Sequence, residues 1–98
     1  MDKEYLVNNY IKKGDQAYDN GNMIKCLNYY LMAEEVLNGV KDLDLIINIA
    51  LVLDEMGESE NAEKKYKEAL GINEFDSRAH YGLGVIYDER DNFTQAIE

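Results

Sequence analysis

Three stretches of this chain carry one pattern in register. Tyr10, Gly14, Ala17, Gly21, Cys26, Tyr30 and Ala33 set it. Ile46, Ala50, Leu53, Gly57, Ala62, Tyr66 and Ala69 repeat it, and His80, Gly84, Tyr87, Asp91 and Ala96 begin it a third time. The first shift is 36 residues (Gly21 to Gly57) and the second 34 (Ala62 to Ala96). A period of this size marks stacked helical units, none of which can bury its apolar face alone. The expected fold is all-α, a solenoid of antiparallel helix pairs. Such an array offers a binding surface rather than a catalytic centre.

The spacing has a physical basis. A large residue, a small one four later and another large one three after that share one face of a helix. The small residue (Gly14, Ala50 or Gly84) lets a second helix approach closely. Gly21 and Gly57 follow where a left-handed residue ends the first helix. In the third copy Asp91 stands there, followed by Asn92, and these side chains tolerate that conformation next best. The second helix then carries small-xxx-Tyr-xx-Ala, as in Cys26, Tyr30 and Ala33.

Turn and cap residues place six helices. The first runs from Lys3 to Asp19 and the second from Asn22 to Asn38, where Asn38-Gly39 ends it. Asp42 caps a third that reaches about Met56, and Ser59 a fourth ending near Ile72. Asp76 or Ser77 caps a fifth that runs to Arg90. A sixth begins near Asn92 and should continue beyond Glu98, so the chain is expected to be part of a longer array. The absence of Pro and the wealth of Ala, Leu, Glu and Lys suit this organisation.

The pattern resembles the tetratricopeptide repeat, a helix-turn-helix of 34 residues. The resemblance rests on Gly14, Gly21, Tyr30 and Ala33, then on Gly57, Ala62, Tyr66, Ala69 and Leu70. It continues through Leu83, Gly84, Tyr87, Phe93 and Ala96. Lys13 stands where the family prefers Leu, His80 where it prefers Trp, and Asn38 and Glu74 where it prefers Pro. The turn after the first repeat has two extra residues. The resemblance implies one domain over 1–98, a right-handed superhelix with repeats at about 7–40, 43–76 and 77–98. That makes about two and two-thirds repeats.

Resemblance to the family also implies which residues line the concave face, namely those on the first helix of each pair. In the first repeat these are Asn8, Ile11, Asp15, Tyr18 and Asp19. In the second they are Asp44, Ile47, Leu51, Asp54 and Glu55, and in the third Arg78, Tyr81, Val85, Asp88 and Glu89. The helical spacing agrees, because these positions lie off the packing stripe. Carboxylates gather at the ends of the lining helices (Asp19, Asp54-Glu55, Asp88-Glu89) beside an apolar track of Ile11, Ile47, Leu51, Tyr81 and Val85. A variant of the family grips the C-terminal carboxylate of chaperones with Lys, Asn and Arg side chains. Asn48 and Arg78 match it, but Ile11, Asp15 and Gly82 do not, so chaperone tails are disfavoured.

Other chemistry finds no support. The net charge of −10 disfavours nucleic acid and anionic membrane. The longest apolar stretch, Leu43 to Leu53, is broken by Asp44 and Asn48, so no membrane span is expected. Met1-Asp2-Lys3-Glu4 lacks the basic and apolar regions of a signal peptide, and a single cysteine forms no internal disulfide. A cytoplasmic location is expected. Cys26 reads as a buried packing thiol and His80 as a packing residue, so no metal is expected. Ser59, Ser77 and Thr94 read as caps, and Gly82-x-Gly84 lies inside a helix rather than in a phosphate loop. No cofactor or catalytic residue is expected.

The leading expectation is a non-catalytic interaction module whose acidic concave face binds a basic, partly apolar peptide or helix. The alternative is a structural or self-assembling segment of a longer array, or a regulatory array attached to another domain. Phe93, Ala96 and Ile97, on the incomplete sixth helix, would then seek cover, and a homo-oligomer through that helix follows.

Overall fold

The computed structural model describes residues 2–97, with side chains through residue 91. Five helices fill it: α1 (Lys3–Asp19), α2 (Met23–Leu37), α3 (Leu43–Glu55), α4 (Ser59–Ile72) and α5 (Ser77–Ile97). The short connections make neighbours antiparallel. The pairs α1–α2 and α3–α4 pack most extensively, α2 joins α3, α4 joins α5, and α3 also reaches α5. The array measures 56 × 30 × 18 Å with a radius of gyration of 14.6 Å. A compact domain of about 100 residues would have about 13 Å, so the pairs stack along a line.

The turns follow from the expected chemistry. Gly21 and Gly57 sit at φ +78° and +83°. After α1 the Gly21 N–H donates to the Tyr18 carbonyl and the Asn22 N–H to that of Ala17, both at 2.9 Å. After α3 the Gly57 N–H donates to the Asp54 carbonyl at 3.0 Å and the Glu58 N–H to that of Leu53 at 2.8 Å. These are paired bonds that satisfy the last free carbonyls of a helix. Asn38 takes the left-handed conformation that ends α2. Asn22 Oδ1 accepts from the Lys25 N–H and Asp42 Oδ1 from the Leu45 N–H, each at 3.1 Å. Asp76 caps α5, accepting from the N–H groups of Arg78 (2.9 Å) and Ala79 (3.2 Å).

The core is centred on α3. Leu45, Ile46, Ile47, Ile49, Ala50, Val52 and Leu53 are all buried there, because α3 is packed between α2 and α4. Cys26, Ala33, Ala62 and Ala69 are fully enclosed at the closest approaches. Burial pushes the Cys26 thiol up, as befits a packing group.

Four expectations are corrected. Ser59 is the first residue of α4 rather than its cap; Glu58 holds the cap position and makes no side-chain capping bond. The Glu58 N–H already closes the turn after α3, so the next helix starts at once. His80 is exposed rather than packed, its Nε2 donating to the Glu74 carbonyl at 2.7 Å. Gly84 has open space where a neighbouring helix was expected. These last two share a cause. α5 turns Ala79, Leu83 and Ile86 inward and leaves the stripe of His80, Gly84 and Tyr87 open.

The fourth correction is the break at Asp91-Asn92. α5 runs through it to Ile97 without a turn. A left-handed Asp is strained where Gly is not. The side chains of Phe93, Ala96 and Ile97, and with them the expected apolar patch, lie outside the described residues.

Candidate binding groove

One groove of about 680 Å³ opens between α3 and α5. Ile47, Asn48, Leu51 and Asp54 of α3 form one wall, and Ser77, Arg78, Tyr81, Gly82 and Val85 of α5 the other. Tyr66 of α4 lies at the floor. The walls meet at an angle because α3 and α5 touch only lightly, each being packed mainly on α4. Leu51 is 41 % and Tyr81 77 % exposed, an uncovered area large enough to receive an apolar side chain.

Seven of the sequence-derived residues therefore come together: Ile47, Asn48, Leu51, Asp54, Arg78, Tyr81 and Val85. The rest do not line the groove. Asp44 is exposed and paired with Arg78, Nη1 to Oδ1 at 3.0 Å. Glu55 accepts from the Tyr18 hydroxyl at 2.7 Å, joining the first repeat to the second. Asp15 accepts from the Tyr30 hydroxyl at 2.5 Å. Asn8, Asp19, Asp88 and Glu89 are exposed on α1 and α5, and Ile11 is half-buried. Tyr66, Ser77 and Gly82 line the groove although the pattern assigned Tyr66 to packing. The contact of Gly82 with the Tyr66 ring reveals the difference, for a Cβ at 82 would run into that ring.

The electrostatics are local. Arg78 also reaches Asp76, Nη2 to Oδ2 at 2.9 Å, so two carboxylates of the chain itself already engage its guanidinium. An incoming carboxylate would have to displace them. With Asp44 and Asp76 both against Arg78, this end of the groove carries an excess of negative charge. Among the described residues no cluster of His, Cys, Asp and Glu could hold a metal ion. No helix among them is long and apolar enough to cross a membrane.

Acidification tests the paired carboxylates. The Arg78 side chain holds Asp76 below the usual range. Lys67 and Arg90 hold Glu63 at about 2, and Lys41 with Lys65 lowers Glu68. A carboxyl with a lowered pKa stabilises the fold above its unfolded value and loses that as pH falls through the folded one. The thermal midpoint is thus expected to hold down to about pH 5 and then fall towards pH 2. Each exposed pair contributes little, so the decline should be gradual. Circular dichroism melts across this range check it, and a midpoint that rises below pH 4 would contradict it.

Comparison with known proteins now identifies the fold. Residues 43–76, which comprise α3, α4 and the turns around them, match the tetratricopeptide repeat model. Residues 43–76 are thus a tetratricopeptide repeat. It is also similar to two proteins called photosystem I assembly protein Ycf3, from Prochlorococcus marinus strains NATL1A and NATL2A. Each is 32 % identical over 90 residues, covering 88 % of this chain and 50 % of the relative. The chain thus spans about half the length of the curated relatives it matches. No solved structure matches it significantly. A tetratricopeptide array of this kind is a protein-interaction module, and the matched repeat contributes one whole wall of the groove.

Proposed function

We propose that the chain holds a basic, partly apolar segment of another protein in the groove between α3 and α5, without catalysis. The observation that carries this is the groove's composition: Ile47, Leu51, Tyr81 and Val85 with Asp54 among them. Burying a few apolar side chains of a ligand there contributes about 1.5–3 kcal/mol each before ordering costs. Asp54, with Glu55, Asp88 and Glu89 further out, steers the cation into register and speeds encounter. The relatives are named for assembly of a protein complex, a task of the same general class. We extend only that class to this chain, with a cytoplasmic location.

Selection from a displayed library of random peptides tests the proposal. Enriched sequences should combine Lys or Arg with Leu, Phe or Tyr. Converting Asp54, Glu55, Asp88 and Glu89 to their amides should slow association about tenfold or more and flatten its salt dependence. Enrichment of acidic peptides, or an unchanged salt slope, would sink it.

The open stripe of His80, Gly84 and Tyr87 favours a second reading, a self-assembling segment in which another helix covers α5. Sedimentation over the same salt series separates the two, since a net charge of −10 should make self-association strengthen with salt.

A further inference from the structure

Tyr30 and Tyr66 occupy the same position of successive repeats, 36 residues apart, and both are nearly enclosed, 4 % and 3 % exposed. Their hydroxyls differ. Tyr30 donates to Asp15 on the helix it packs against. The residue 36 positions after Asp15 is Leu51, which has no acceptor to offer. Among the described residues the Tyr66 hydroxyl has no hydrogen-bond partner, yet no fully enclosed side-chain polar atom is left unsatisfied. The hydroxyl must therefore keep an opening, and Tyr66 lines the groove. Gly82 makes that possible. The ring's Cζ end lies where any Cβ at 82 would stand, so a larger residue would push the ring aside or cover the hydroxyl.

We infer that the Tyr66 hydroxyl is the groove's polar anchor, donating to a main-chain carbonyl of an extended peptide segment whose apolar side chain enters between Leu51 and Val85. This rests on the groove reading above and adds the backbone geometry of the ligand. Burial and the nearby charges of Asp54 and Glu55 push the Tyr66 pKa up, so the group is a donor. The same charges select the acceptor. A ligand carboxylate would meet Asp54 and find Arg78 already paired, whereas a neutral carbonyl meets no repulsion. Carbonyls inside a helix are engaged along the helix, while an extended segment presents its own. The ligand is thus an extended stretch with a bulky apolar side chain, a free carbonyl beside it and a cationic side chain towards Asp54.

The test uses peptides selected from the displayed library, resynthesised and measured by calorimetry against the whole chain. Tyr66→Phe should weaken them about three- to tenfold and leave the melting temperature unchanged, because the hydroxyl has no partner among the described residues. Tyr30→Phe should do the reverse, lowering the melting temperature through loss of the Asp15 bond. Replacing the peptide's amides by esters one at a time should weaken binding at one position to the wild type, and not to Tyr66→Phe. Peptides that bind the wild type and Tyr66→Phe equally would overturn the anchor and leave the groove reading standing. A library that yields no binder would overturn both.

Discussion

Truncating Ile49 to alanine is expected to remove about 2–5 kcal/mol of stability, a large part of the roughly 5–15 kcal/mol that a domain of this size has. Ile49 is fully enclosed at the centre of α3 and lies against the α2 side, where Leu27 and Leu31 border the same hollow. Leu51, two residues on, is 41 % exposed and should cost well under half as much. Urea titration of both variants reads the difference, and an unchanged slope attributes it to the folded state. A loss below about 1 kcal/mol for Ile49→Ala would mean that α3 is not the helix around which the array packs.

One substitution at two glycines should give opposite signs. At Gly14 a Cβ would run into the enclosed Tyr30 ring, whose hydroxyl is held by Asp15. Gly14→Ala is therefore expected to lose about 1–3 kcal/mol from overpacking, offset in part by a better helix former. At Gly84 nothing lies within 4 Å. Gly84→Ala should gain about 1 kcal/mol, the ordinary difference between these residues in an exposed helix interior. Thermal melts of the two variants check this. Stabilisation at Gly14 would contradict the close packing of α1 on α2. Destabilisation at Gly84 would mean that something covers α5 in solution, which is what the self-assembly reading requires.

Much of the array was legible in the residues. The first two registered copies, the glycines at 21 and 57 and the caps at Asp42 and Asp76 are local features, and each acts through its own few neighbours. Their positions marked four helices almost to the residue. Seven of the side chains that the family resemblance implied, and helical spacing supported, line the groove between α3 and α5. The groove's floor was not legible. Whether Tyr66 is only a core residue depends on Gly82 and Leu51, which come from two other helices.

The sequence by itself determined the class of fold and the pairing of the helices. These follow from periodicity and from residues that only turns and caps favour. Tertiary structure alone decided three things. It let α3 stay helical although Ile46, Ile47, Ile49 and Val52 are stiff, β-favouring residues, because burial between α2 and α4 outweighs a small propensity cost. It decided that α5 passes straight through Asp91, where the residue pattern had suggested a turn. And it set which polar groups meet, pairing Arg78 with Asp44 and Asp76 and the Tyr18 hydroxyl with Glu55, while among the described residues the Tyr66 hydroxyl has no partner. Side chains from separate helices meet only when those helices dock, and no local pattern records that meeting.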